Sequence, residues 1–189
     1  SEWDELSTPE RAKLLGRAGA PALGVLLKVT EDGEICARSN HVLKGYWSQP
    51  EATNEAIRDG WFHTGDGGYV DEDNYVTIAD RKKDVIISGG ENVSSIEVED
   101  VLFAHEQVTE VAVIGVPDEK WGETVKALVV IEGEISEEEL IEFCRTKLAH
   151  YKCPTSIEFR DELARTATGK LQKYKLRAPY WEGHEKLVN

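Results

Sequence analysis

Residues 79–97 read ADRKKDVIISGGENVSSIE, and the fold turns on how this stretch divides. ADRKKD, residues 79–84, places five charged residues in six positions and offers no apolar anchor until Val85. Such a composition belongs to a linker between two packed units. DVIIS then reads as a short strand and GGEN as a turn. Ser94 opens S-S-I-E with Glu97 three residues on, a capping box for a helix to about Ala104. Strand, turn and capped helix after a charged linker mark the start of an α+β unit.

Downstream, EVAVIGV (110–116) and TVKALVVI (124–131) are apolar strand runs separated by PDEKWGE. Ser136 and Glu139 form a second capping box, opening a helix that sets Leu140, Ile141, Cys144 and Leu148 on one side. TSIEF is a last strand, and ATGKLQKYKLRAPYW a loop entering a basic helix. Upstream, GVLLKV (24–29) and EICAR (34–38) flank a TEDG turn as a hairpin. Pro50 starts a short helix ending at Gly60, and residues 67–70 and 75–79 form a second hairpin around DEDN.

The chain of 189 residues has 22 basic and 36 acidic side chains, a formal charge of −14. That acidity argues against a nucleic-acid partner, whose phosphates need a basic surface. No apolar run reaches the ~18 residues of a membrane span, and SEWDELSTPERAK (1–13) has no basic-then-apolar leader. Cys36, Cys144 and Cys153, an odd number without framework or zinc spacing, read as reduced thiols in a cytoplasmic protein. The charge is segregated. Fifteen acids face only Lys120 and Lys126 over residues 91–142, whereas 145–177 carry nine bases and three acids. Two readings stay open: a solubilising surface, or a tail whose field attracts a polyanionic small molecule.

Three stretches have residue types suited to chemistry. In GWFHTGDGGYV (60–70), Asp66 lies between two glycines just before a strand. It is either an ordinary turn residue or an uncrowded carboxylate able to accept both protons of a vicinal diol. In ISGGENVSSIE (87–97), a glycine pair precedes a helix start, suited to phosphate or an extended polar chain, or merely to a tight connection. In RTATGKLQK (165–173), Leu171 after the lysine rules out a GxxxxGK[ST] phosphate loop. Lys170 is then either a solvated lysine or a mobile point charge on a Gly-containing loop.

Taken in order, GEICARSNHVLKGYW, GWFHTGDGGYVDEDNY, DRKKDVIISGGENVSSIEVE, GVPDEKWGE, LAHYKCP and RTATGKLQK resemble the C-terminal part of the AMP-forming acyl-CoA ligases, fatty-acid type, of the adenylate-forming superfamily. The resemblance covers essentially the whole chain. It implies an α+β architecture: a mobile lid domain over 83–189, with a mixed sheet and flanking helices, after a β-rich remnant of the large N-terminal AMP-binding domain over 1–82. It implies two steps, acyl-adenylate formation from a carboxylic acid and MgATP, then transfer to CoA, with the lid rotating between them. By position, Lys170 matches the lysine that bridges carboxylate and α-phosphate, Asp66 the ribose-binding aspartate, Arg81 the arginine beside the nucleotide, and Lys83 the hinge. Gly89 and Gly90 match the turn lining the pantetheine tunnel, and Trp121 and Tyr151 aromatic positions near the CoA nucleotide. Lys152, Lys173 and Arg177 are further candidates for CoA phosphates.

Three positions depart from the pattern: Gly67 stands where an apolar residue is usual, Ala164 where proline is common, and Cys153 where some relatives are basic. No phosphate loop, adenine- and Mg²⁺-binding segment or acyl pocket occurs in these residues, and no metal ligand set is expected. The resemblance thus implies a catalytically incomplete piece. Its residues 1–82 lack partner strands and are expected to be disordered or to self-associate through exposed edges. The alternatives are a non-catalytic CoA- or partner-binding module, and an adenylating domain that loads a carrier protein.

Overall fold

A computed structural model describes residues 6–184; residues 1–5, the start of the stretch read for a leader, lie outside it. The chain divides into two compact units, Ser1–Lys82 and Lys83–Asn189. The charged stretch is therefore shorter as a connection than its composition suggests. Its first half is strand, and its second half a single 3₁₀ turn, Lys82–Asp84.

In the first unit, helix α1 (Thr8–Leu15) is followed by strands β1 (Leu26–Val29) and β2 (Glu34–Arg38), paired antiparallel as the TEDG turn predicts. Helix α2 (Pro50–Ala56) ends before the expected Gly60, because Ile57–Arg58 leave it as a two-residue strand, β3. Strand β4 (Trp61–Val70) is longer than the sequence suggests. It pairs antiparallel with β2, β3 and β5 (Val76–Arg81). Among the described residues, the buried apolar side chains of this unit are Ile35, Cys36 and Val76, beside buried Glu34 and Asp80. Leu15, Leu23, Leu26 and Trp47 are exposed. The unit is an ordered sheet with a thin core, so the expected disorder is not what the structure has.

The second unit begins with β6 (Ile86–Ser88), whose chain reverses at Gly89–Gly90 into β7 (Glu91–Val93), a strand not expected from the sequence. Helix α3 (Ser95–Phe103) is capped by Ser94, whose hydroxyl accepts the Glu97 N–H. β8 (Val108–Asp118) and β9 (Gly122–Ile131) form a long hairpin, and β9 is the central strand of the sheet, pairing with β8, β6 and β10. Helix α4 (Glu137–Arg145) carries the full Ser136–Glu139 capping box and buries Leu140 and Cys144. Strand β10 (Ser156–Phe159) pairs parallel with β9, which makes the sheet mixed. Helix α5 (Lys173–Arg177) and the turn Ala178–Tyr180 close the described chain.

One apolar cluster, including Val98, Leu102, Val113, Val129, Leu140 and Ile157, joins α3 and α4 to the sheet. A second, with Ile114, Val116, Leu128 and Leu163, packs under the tail. Two glutamates satisfy strand amides outside the ladder: Glu99 of α3 accepts Val113 N–H at 2.7 Å, and Glu137 of α4 accepts Ile157 N–H at 2.7 Å. A buried amide left unpaired costs about as much as a lost hydrogen bond, so helices and sheet are joined by polar as well as apolar contacts.

Replacing Glu99 by Ala leaves a largely buried Lys173 and the Val113 amide without this acceptor. Urea unfolding should show a loss of about 2–3 kcal/mol in the second unit. The three cysteines are free and buried. Burial pushes the Cys144 thiol up to about 12 and raises Cys36 and Cys153 as well. A raised folded pKa stabilises below the unfolded value and is lost above it. Stability should therefore fall from about pH 8.5 upward, and a thiol reagent should label all three only after denaturation.

Candidate functional site

In the first unit, Asp66 lies within β4 rather than ahead of a strand. Its register partner on β5 is Arg81, whose Nε stands 3.3 Å from Asp66 Oδ1. The sequence-level pair is thus brought together across two strands. The register between β2 and β4 shifts: Cys36 faces His63, but Glu34 faces Gly67. Residues 64–66 therefore bulge opposite Ile35 alone, and the bulge re-aims the Asp66 carboxylate. Gly65, at φ +74°, makes the turn possible. Three residues on, Gly68 is a tight position, where a Cβ would clash with the Thr77 carbonyl.

Beside the bulge, Glu34 accepts Gly65 N–H at 3.0 Å and meets His63 Nδ1 at 2.9 Å and Lys82 Nζ at 3.6 Å. Burial pushes the Glu34 carboxyl up, but the bonds from His63 and Gly65 and the Lys82 charge outweigh it and hold it below its ordinary value. Glu34, Cys36 and His63 are, among the described residues, a set whose donor atoms lie within 4.8 Å of one another. They do not suit Mg²⁺, which takes oxygen ligands. A thiol and an imidazole make up two of the three, and Arg58 Nη2 already stands 2.9 Å from His63 Nδ1.

In the second unit, Lys170 closes a small hairpin. Arg165 and Leu171 form an antiparallel bridge, Thr166 N–H reaches the Lys170 carbonyl at 2.8 Å, and Lys170 N–H reaches Thr166 Oγ1 at 3.0 Å. Arg165 clamps the tip: Nη1 donates to the Gly169 carbonyl at 2.9 Å, and Nη2 to Glu110 on β8 at 2.6 Å. The loop is therefore held, and the Lys170 side chain is exposed at its end. Ala164, at the usual proline position, supplies the carbonyl that accepts Gln172 N–H.

Gly89 and Trp121 also come together. Asp118 Oδ1 accepts the Lys120 and Trp121 amides, and the Trp121 carbonyl accepts Gly89 N–H at 2.9 Å. Gly89 has φ +61°, and a Cβ there would lie 2.7 Å from Trp121 Cε3; Gly90, at φ +88°, has open space. Trp121 is half exposed and lines a cavity of about 530 Å³ with Ile87, Glu123, Lys126, Tyr180 and Trp181. Nothing in the sequence signals that the tail aromatics reach this cavity. Tyr151 lies in the turn His150–Lys152, with Lys152 Nζ 5.9 Å from its ring centre.

The bases considered for CoA phosphates are engaged within the unit. Lys152 pairs with Glu97 at 2.6 Å, Lys173 with Glu99 at 2.7 Å, and Arg177 with the Lys83 carbonyl at 2.9 Å and Asp84 at 3.5 Å. Cys153 is buried, its Sγ 3.5 Å from the Ala149 carbonyl. Lys152 and Lys173 thus meet acids of the 91–142 block.

The comparisons define the class. Residues 97–170 match the AMP-binding enzyme C-terminal domain, and the homologues of the chain are acyl-CoA ligases of the adenylate-forming superfamily. Among them, 4-hydroxybutyrate–CoA ligase 2 of Metallosphaera sedula is 46% identical over 190 residues, covering 93% of this chain and 34% of that protein. The long-chain-fatty-acid–CoA ligase of Bacillus subtilis is 48% identical over 163 residues, covering 85% and 29%. ATP-bound MatB from Rhodopseudomonas palustris superposes with a TM-score of 0.84 at 38% identity, covering 90% and 37%. The chain spans about a third of the length of the curated relatives it matches. No helix among the described residues is long and apolar enough to cross a membrane.

Gly89→Ala should displace Trp121. Its fluorescence should shift and the second unit lose more than the ~1 kcal/mol expected from backbone strain alone; Gly90→Ala should show only the strain. An unshifted Trp121 spectrum in Gly89→Ala would disprove the contact.

Proposed function

We propose that this chain works as the C-terminal part of an AMP-forming acid–CoA ligase that activates a carboxylic acid, of the fatty type, and transfers it to CoA. One observation supports the reading most. A chain homologous to CoA ligases pairs Asp66 with Arg81 in its first unit and presents Lys170 on a clamped hairpin tip in its second.

Arg81 takes one oxygen of the Asp66 carboxylate. The other keeps lone pairs for ribose hydroxyls, and the guanidinium offsets charge beside the nucleotide. In the first step the acid's oxygen attacks the α-phosphorus of ATP and pyrophosphate leaves. Lys170 is a compact cation that lowers the repulsion between the two anions and the charge developing at transfer. In the second step the CoA thiolate attacks the acyl carbon and AMP leaves. Gly89, Gly90 and Trp121 would then face the pantetheine arm, and Tyr151 the CoA nucleotide. Lys83, the first residue of the second unit, is the proposed hinge between the two poses, since such motion needs a few residues that absorb a dihedral change. The Mg²⁺ that accompanies ATP would be held by the body of the enzyme beyond this chain. The exposed apolar residues of the first unit, Leu15, Leu23, Leu26 and Trp47, are the surface that this body would cover; without it they favour self-association.

A chimera tests the reading. The chain replaces the corresponding part of 4-hydroxybutyrate–CoA ligase 2, and ATP–pyrophosphate exchange is measured. Lys170→Ala should lower the exchange about 10²- to 10³-fold, while the 189-residue chain alone should release no pyrophosphate above its own Lys170→Ala variant. An active chimera indifferent to Lys170→Ala would sink the assignment. Calorimetry separates the binding-module alternative, which requires micromolar CoA binding by the chain alone, about −8 kcal/mol.

A further inference from the structure

Glu34 is a buried carboxylate on β2 with no part in the chemistry above, yet it stands where the Asp66 bulge begins. The bulge sets three residues, Thr64, Gly65 and Asp66, against Ile35 alone. Their amides cannot all find ladder partners on β2, and side chains replace the ladder. Glu34 Oε1 accepts Gly65 N–H at 3.0 Å. Thr64 Oγ1 accepts Asp66 N–H at 3.1 Å and donates to the Ile35 carbonyl at 2.6 Å. The other Glu34 oxygen meets His63 Nδ1 at 2.9 Å, with Lys82 and Arg58 at 3.6 and 3.8 Å. These groups keep the carboxylate ionised while it is 5% exposed.

We propose that Glu34 is a positioning residue for Asp66: it holds the Gly65 amide and, with Thr64, sets the conformation in which β4 presents the Asp66 carboxylate. A metal-ligand role for the Glu34, Cys36 and His63 group fits less well. Arg58 and Lys82 already bring positive charge to the same atoms, and a bound cation would be repelled by both. His63 Nδ1 holds one hydrogen or one lone pair. It therefore bonds Glu34 as donor or Arg58 as acceptor, not both at once. Only the first arrangement gives the buried carboxylate a further donor.

The functional consequence rests on reading Asp66 as the ribose carboxylate; the positional claim does not. Amide hydrogen exchange in the 189-residue chain tests the positional claim. Glu34→Ala should speed exchange at Gly65 on the order of tenfold or more, leaving the β4–β5 amides at Tyr69 and Thr77 protected as evidence that the sheet survives. Glu34→Gln keeps an acceptor and should restore Gly65 protection. In the chimera, Glu34→Ala should raise KM for ATP about tenfold, with Glu34→Gln close to the parent. Unchanged Gly65 exchange in Glu34→Ala overturns the proposal. If Gly65 is loosened but KM for ATP does not move, the positioning stands and the ribose reading of Asp66 falls.

Discussion

One carboxylate joins the parts of the second unit. Glu99 of α3 accepts the Val113 amide of β8 and pairs with Lys173 at the start of α5, both at 2.7 Å. Its single side chain links a helix, the first strand of the long hairpin, and the tail that carries Lys170. The partners are largely shielded, so the pairing cannot be replaced by solvent without leaving a charge and an amide unsatisfied. Arg165 repeats the device a few residues upstream, fastening the lysine hairpin to Glu110 on the same strand. In the role proposed for Lys170 such fastening would help, because the cost of ordering its backbone is met on folding rather than during the reaction.

Pairs of this kind join the two charged blocks of the chain. The acidic block over 91–142 and the basic block over 145–177 are opposite ends of contacts: Lys152 with Glu97, Arg165 with Glu110, and Lys173 with Glu99. Composition alone makes the tail look like a source of field for a polyanion. Folded, these pairs cancel part of that field at short range, and Lys170 is exposed at its hairpin tip.

The first unit solves a different problem. Its buried apolar set is small and lies beside two buried acids, Asp80 and Glu34, the latter held by His63, Gly65 and Lys82. What it gains is a bulge in β4 held by side chains, with Asp66 on it and its register partner Arg81 on β5. Thr64 and Glu34 supply acceptors for the Gly65 and Asp66 amides that the bulge takes from the ladder.

Local patterns were enough for much of this. The capping residues Ser94 and Ser136, the TEDG hairpin, the apolar runs of β8 and β9 and the order of the glycine- and lysine-bearing motifs all depend on neighbours a few residues away. The residues by themselves therefore gave the α+β pattern, a division within residues 79–84 and the candidates Asp66, Gly89 and Lys170, and the family resemblance added Arg81. The short strand β7, the extension of β4 through Asp66, the bonding of Glu34 to the bulge and the glutamates on Val113 and Ile157 were decided only by tertiary structure. Each depends on atoms brought together from distant positions, and a glutamate that will be buried and bonded has the same one-letter signature as one left in solvent.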